Sequence, residues 1–194
     1  MSTHDMKSLL IPFDAETGLS SHAEPIRRRL SAMNGMYADE RAFAEMLEAD
    51  DPIVYEFHDM HLPEDAGEVA FGTSIVYPGK VGDEYFMTKG HFHTILETAE
   101  VYYCLRGGGC MLMENPEGDW EARDLKPGCA VYVPPRYAHR SINTSPTERL
   151  VTFFAFRADA GHDYGAIETK GFRKLVVDCG GRPEIVDNPR WKTE

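Results

Sequence analysis

The chain has 194 residues, 42% of them hydrophobic and 27% charged, with a formal net charge of −12; this is ordinary for one globular domain with a substantial core. No run approaches the ~20 apolar residues that span a membrane, and the N-terminus lacks the basic and apolar regions of a signal peptide, so we expect a cytoplasmic protein with no membrane partner. The negative charge argues against sequence-independent nucleic-acid binding, which draws on clustered Lys and Arg, and Cys104, Cys110, Cys129 and Cys179 form no CxxC pair that would suggest a zinc knuckle or a redox site.

In chain order, residues 1–20 show no period beyond Leu9-Leu10-Ile11 before Pro12 and read as an edge strand or a docked arm. Over 21–33, Pro25 near a helix start and Ile26, Leu30 and Met33 at i, i+4 and i+7 predict a helix, with Arg27-Arg28-Arg29 as its solvated face. Asp39 is a candidate N-cap for a second helix running to Ala49, with Phe43, Met46 and Leu47 as its apolar stripe. From Ile53 the texture changes. Aromatic and β-branched runs, cut by Gly and Pro, predict strands over 53–60, 69–77, 84–88, 101–105, 110–114, 120–124, 130–133, 140–143 and 150–156. Arg106-Gly107-Gly108-Gly109 and Asn115-Pro116-Glu117-Gly118-Asp119 read as hairpin turns. The glycine triplet is no phosphate loop, because it lacks a following Lys-Ser/Thr and precedes a strand rather than a helix.

The stretch from Gly90 to Tyr102 carries the chemistry. His91 and His93, two apart on a strand, point to one face; Glu100 follows seven residues later, and His139 comes after the stiff Val133-Pro134-Pro135 segment. Three imidazoles and one carboxylate suit Fe2+, Mn2+, Zn2+ or Ni2+ rather than an all-oxygen calcium site. Four such ligands leave two positions of an octahedral ion open. Glu97 falls on the opposite strand parity from Glu100, although a turn between His93 and Glu100 would break that parity. His4, His22, His58 and His61 lie outside the motifs and read as structural or solvent-exposed.

Two motifs resemble those of the cupin superfamily: Gly90-His91-Phe92-His93 through Glu100-Val101-Tyr102 to Gly107, and Lys126-Pro127-Gly128 through Val133-Pro134-Pro135 to His139-Arg140. The resemblance implies an all-β fold, a double-stranded β-helix or jelly roll, here with a short helical N-terminal region. The expected organisation is an arm with short helices over 1–52, the barrel over 53–178 and a C-terminal tail over 179–194. The segments Tyr77-Pro78-Gly79-Lys80-Val81-Gly82, Thr88-Lys89-Gly90-His91-Phe92-His93 and Ala160-Gly161-His162-Asp163-Tyr164-Gly165 narrow this further, being similar to the cupin-type glucose-6-phosphate isomerases from about Ile26 to Lys174.

That family implies interconversion of glucose 6-phosphate and fructose 6-phosphate, in glycolysis and gluconeogenesis, with one divalent metal per subunit, Fe2+ first and Zn2+, Mn2+ or Ni2+ as alternatives. It implies His91, His93, Glu100 and His139 as metal ligands, Glu100, Tyr102 and His162 as catalytic residues, and a sugar-phosphate site of Thr73, Ser74, Thr88, Gly90 and Tyr164. Lys89 alternates away from Thr88 and Gly90. Where this chain has Phe156 the family pattern implies a Tyr, so that wall departs from it. A homodimer is expected, because cupins commonly pair their sheets. Proton transfer and hydride shift between C1 and C2 both remain open. A cupin dioxygenase, which uses the same ligand set, and a non-catalytic sugar-phosphate-binding cupin are the competing classes.

Overall fold

The computed structural model describes residues 8–191; the N-terminal residues 1–7, His4 among them, lie outside that range. Leu9, Leu10 and Ile11 form no strand, and Leu10 is 94% exposed. The arm is instead docked further along. Phe13 packs edge-on against Phe153 and Phe71, at 5.7 and 6.4 Å between ring centroids, and the Gly18 carbonyl accepts a hydrogen bond from Thr73 Oγ1 at 2.5 Å.

The helix expected over 21–33 is a strand, β1 (Ile26–Arg29), followed by a 3-10 turn, Leu30–Met33. Cross-strand pairing overrides the helical period. β1 lies antiparallel to β2 (Ile53–Asp59), with Arg27 opposite Glu56 and Arg28 opposite Tyr55. Arg27 Nε meets the buried Glu56 carboxylate at 3.0 Å, an opposite-charge pair that a helix would not have offered. Arg28 turns to the other face, 5.8 Å over the Phe57 ring. Leu30 and Met33 are buried by the turn, which the Asp51 carboxylate ties down through Ser31 N–H and Oγ at 2.8 Å each. The second helix, α1 (Glu40–Ala49), forms as the capping signal predicts, with Asp39 accepting from the Ala42 N–H at 2.9 Å and Phe43 stacked on Tyr37.

The remaining strands are β3 (Val69–Val76), β4 (Lys80–Val81), β5 (Glu84–Tyr85), β6 (Glu100–Arg106), β7 (Gly109–Glu114), β8 (Trp120–Leu125), β9 (Ala130–Val133), β10 (Ala138–Asn143), β11 (Leu150–Arg157), β12 (Lys174–Asp178) and β13 (Pro183–Asp187). They build an antiparallel six-stranded sheet in the order β1-β2-β3-β11-β6-β9, a three-stranded sheet β10-β7-β8 and a four-stranded sheet β13-β12-β5-β4. Met87, Met111, Leu112, Met113, Ile142, Val54 and Val76 belong to one core cluster that joins the sheets. The fold is all-β and jelly-roll-like, as the motifs imply.

The turn Asn115–Asp119 closes the β7–β8 hairpin, Asn115 Oδ1 accepting the Gly118 and Asp119 N–H groups at 2.9 Å. Arg106–Gly109 does not make a hairpin. β6 pairs with β11 and β9, and β7 with β10 and β8, so these glycines carry the chain from one sheet to another. Within the segment expected as a C-terminal tail, β13 pairs along the whole of β12. A short helix, α2 (Gly165–Lys170), packs Ile167 into the core.

Gly107 makes the sheet crossing possible. Its φ is +80°, and a Cβ there would lie 2.1 Å from the Arg149 carbonyl oxygen. Gly107→Ala is expected to cost about 3 kcal/mol or more, from left-handed backbone strain plus a clash with backbone that cannot yield. A thermal melt should fall by roughly 10 °C, and an unchanged melt would refute this crossing geometry.

Candidate functional site

The second sheet and the 86–93 segment meet through two isolated antiparallel bridges, Met87 with Ile142 and His91 with His139. Strand alternation then carries His91 and His93 to one side, and β10 delivers His139 beside them. Glu100 opens β6 between Val133 of β9 and Phe156 of β11. One ligand atom from each of His91, His93, Glu100 and His139 lies within 4.8 Å of the others. His93, Glu100 and His139 are buried. Glu97 is elsewhere, its carboxylate exposed and 3.5 Å from Arg136 Nη1.

Two of the three imidazoles are aimed from behind. His93 Nδ1 lies 3.2 Å from the Gly161 carbonyl and His139 Nδ1 lies 3.4 Å from the Tyr137 carbonyl. Those acceptors assign the proton to Nδ1 and leave the Nε2 lone pair facing inward. Inward, Glu100 Oε2 stands 3.2 Å from His93 Nε2 and 2.9 Å from His139 Nε2. The 2.9 Å contact lacks hydrogen-bond alignment, and both His91 Nε2 and His139 Nε2 are buried without a hydrogen-bond partner. The inward lone pairs of His93 and His139, the unpartnered His91 Nε2 and the Glu100 carboxylate converge within 4.8 Å, an arrangement that a cation among them would satisfy. The donor set therefore fits a divalent transition metal.

The electrostatics agree. Burial alone would raise the Glu100 carboxyl, but the imidazoles beside it, His139 first and then His93 and His91, outweigh burial and hold Glu100 below the ordinary carboxylate range. Burial, then the neighbouring His139, keeps His91 well below its usual value. Burial also lowers His162. Tyr102 is pushed far up by burial and by the Glu100 charge beside it, so it stays a protonated donor.

His91, Glu100 and His139 line a cavity of about 490 Å³, within the range of small-molecule sites. Tyr102, His162, Ser74, Thr88, Gly90 and Tyr164 line it too. His162 packs edge-on to His91 at 4.4 Å and stacks with Tyr164 at 6.0 Å. The Thr88 hydroxyl oxygen accepts the Ser141 N–H at 3.1 Å, which leaves its own proton to be donated. Thr73 is not in the cavity. Adjacent residues of β3 face opposite ways, so with Ser74 inside, Thr73 points out to the Gly18 carbonyl. Lys89 spends its charge on Glu168, 2.7 Å from Nζ. Phe156 forms an apolar wall, its ring 5.2 Å from His93 and 5.4 Å from His162.

Sequence reasoning missed Tyr55 and Asp59, which line the cavity from β2. Ile53, Tyr55, Phe57 and Asp59 share one face by alternation, but β2 is covered on both sides and shows no polar-apolar contrast to reveal it. It also missed the Gly161 and Tyr137 carbonyls, since any residue can present a carbonyl.

A β-barrel of this jelly-roll form, with three His and one Glu gathered where a metal ion could be held, defines a cupin-type site. The comparisons narrow the class. Residues 27–191 match the family model described as glucose-6-phosphate isomerase. The chain is 48% identical over 182 residues to the glucose-6-phosphate isomerase of Pyrococcus furiosus, covering 94% of this chain and 96% of that one. It is 49% identical to that of Thermococcus gammatolerans, over 93% and 95% of the two chains, and 42% identical to that of Sinorhizobium medicae, over 92% and 85%. Among solved structures, a recombinant oxalate oxidase in complex with glycolate aligns with a TM-score of 0.48 and 11% identity over 59% of this chain and 56% of that one, too distant to bear on substrate. The chain belongs to the glucose-6-phosphate isomerase family, in its cupin-type form.

The depressed basicity of His91 and His162 has a consequence for the metal-free protein. Folded, these imidazoles bind protons less readily than in the unfolded chain, where the ordinary value is 6.5. The unfolded state therefore takes up more protons below that value, and stability is lost as pH falls through about 6.5 and below. Urea melts of chelator-treated protein between pH 8 and pH 5 should show this slope, and His91→Gln should flatten it. A slope of opposite sign would contradict the neutral imidazole cluster.

Proposed function

We propose that the chain interconverts glucose 6-phosphate and fructose 6-phosphate with one divalent transition metal, Fe2+ first among the candidates, held by His91, His93, Glu100 and His139. The observation that carries the reading is the convergence of those four ligands at one end of a cavity whose walls also offer the Thr88 hydroxyl and the Gly90 backbone. The identity with named glucose-6-phosphate isomerases over nearly the whole chain supports the substrate pair.

When bound, the ion supplies Lewis acidity toward the two sugar oxygens of the reacting carbons. The chain's own residues do the rest. Ser74, Thr88, Gly90 and Tyr164 hold the phosphate with neutral donors, placing C1 and C2 near the ligand cluster. Tyr102, kept protonated, donates a hydrogen bond to a substrate oxygen. His162, half-sheltered beside Tyr164, assists opening of the cyclic sugar. Glu100 serves first as a ligand, and its low basicity makes it a weak proton acceptor. Thr73 has no part in this scheme.

We place the activity in the cytoplasm and in glycolysis and gluconeogenesis; no helix among the described residues is long and apolar enough to cross a membrane. We assign a homodimer, for which the exposed apolar Val101, Tyr103 and Tyr132 on paired β6 and β9 supply a surface.

A coupled assay with fructose 6-phosphate tests the reading. Chelation should reduce turnover by at least about 100-fold, with recovery on adding Fe2+, Zn2+, Mn2+ or Ni2+. The rate should be indifferent to oxygen, which separates an isomerase from a dioxygenase. Full activity in verified metal-free protein defeats the metal assignment.

Replacing the Thr88 hydroxyl, as in Thr88→Val, should raise KM roughly tenfold with kcat little changed, the pattern of a lost binding contact. A change in kcat alone would move Thr88 from the phosphate to the reacting carbons. Sedimentation should give twice the chain mass.

A further inference from the structure

Arg140 is an unusual residue for a barrel core. It is among the largest fully buried side chains, at 2% exposure, yet it forms no salt bridge among the described residues. Its nearest buried carboxylates are otherwise engaged: Glu114 with Arg173, 3.1 Å from Nη1, and Glu84 with the Ala38 N–H at 3.0 Å. Arg140 lies 4.1 Å over the Phe172 ring, places Nη1 2.9 Å from Met87 Sδ, and donates through Nη2 to the Lys89 carbonyl at 2.6 Å. Burying a guanidinium is expensive, and the short bond to Lys89 is its strongest polar contact.

That carbonyl belongs to the peptide whose nitrogen is Gly90. The bridges at Met87–Ile142 and His91–His139 leave four steps on one strand against three on the other, so the pairing contains one extra residue. Gly90, with φ +77°, is that residue, and a Cβ on it would lie 2.7 Å from the Phe172 ring and 2.9 Å from the His139 carbonyl. It is a glycine bulge. The bulge releases the Gly90 N–H from the ladder, and it finds no backbone acceptor among the described residues. The peptide is trans, so its N–H points opposite to its C=O. Arg140 lies on the face of β10 away from His139, outside the cavity lining, whereas Gly90 lines the cavity. The carbonyl is pulled toward the core, and the N–H is thereby turned to the cavity.

We infer that Arg140 is a positioning residue for anion binding: its guanidinium, bonded to the Lys89 carbonyl, fixes the orientation of the Lys89–Gly90 peptide and polarises the Gly90 N–H that faces the substrate. A charge-assisted bond at the oxygen of a peptide strengthens donation from its nitrogen. A cation thus acts on the anionic substrate through one peptide unit, without itself entering the cavity. The inference rests on the reading that the substrate phosphate sits at Thr88 and Gly90.

The experiment uses Arg140→Lys, Arg140→Met and, as a control for lost packing alone, Leu112→Ala, which alters the register partner of Arg140 on β7. Inorganic phosphate is the probe, read as competitive inhibition of fructose 6-phosphate turnover and as the shift of the Gly90 amide in zinc-loaded protein labelled with 15N-glycine and 15N-arginine. Arg140→Met should raise the phosphate inhibition constant and KM together, on the order of tenfold, with Arg140→Lys intermediate and kcat within about threefold. Leu112→Ala should lower the melt while leaving the inhibition constant within about twofold.

In the unsubstituted protein the Arg140 guanidinium signals should move together with the Gly90 amide as phosphate is added. A Gly90 shift without an Arg140 shift overturns the role whether or not the variants fold, as does a folded, metal-loaded Arg140→Met with unchanged inhibition. A Gly90 amide indifferent to phosphate in the unsubstituted protein removes the phosphate reading itself, and the role of Arg140 with it.

Discussion

Three imidazoles and one carboxylate brought within 4.8 Å of one another are the constraint around which this barrel is arranged. Left to themselves these groups repel, and burial denies them water. The surrounding structure holds them in place from behind. The Gly161 carbonyl that orients His93 follows the 3-10 turn Ala158–Ala160, and Gly161 takes φ +63° with Thr94 so near that a Cβ would lie 2.8 Å from its hydroxyl. The Tyr137 carbonyl that orients His139 follows Arg136, a non-glycine residue at φ +73°. Arg136 is secured by Glu117 at 2.5 Å and by its N–H to the Leu96 carbonyl at 2.6 Å. Unfavourable local backbone is thus tolerated where it aims a ligand.

How much of this was legible follows from how each feature is encoded. The HxH pair was readable because strand parity is local, and His139 because a stiff Pro-Pro turn precedes a short strand. The choice of Glu100 over Glu97 needed the turn between His93 and β6, whose geometry no period reveals. Thr73 and Ser74 could not be separated without the register of β3, since a shift of one residue exchanges the faces. The helix expected around Ile26 failed for a different reason. Its apolar spacing suited a helix, but the partner that decided the matter, Glu56, lies 29 positions away in the chain. Sheet edges are satisfied by distant segments, and single-sequence periodicity does not see them.

The charge distribution bears on how an acidic chain can accept an anionic substrate. A formal charge of −12 sets up a long-range field that opposes a phosphate, and the nearest lysine in sequence, Lys89, is bound to Glu168. The walls offer hydroxyls and a backbone N–H instead. Neutral donors already oriented by protein bonds need no reorganisation when an anion arrives. Arg28 at the β1 edge and Arg140 behind β10 lie outside the cavity lining.

Electrostatics also sets Glu100 and Tyr102 apart. A carboxylate surrounded by imidazoles is a strong ligand because the charge that binds a cation is already favoured there, and for the same reason it accepts a proton poorly. Tyr102 sits two residues on, on the same face of β6, and the negative charge of Glu100 raises it further as a phenol. The two groups are therefore driven apart: Glu100 is held as a carboxylate suited to a cation, and Tyr102 keeps its proton. Any proton that leaves the sugar must then find an acceptor whose basicity is not already spent on the cluster, or else the hydrogen moves between the two carbons without one. The Phe156 wall bears on that choice, since its ring packs beside both His93 and His162 and brings no hydroxyl to that side of the cavity.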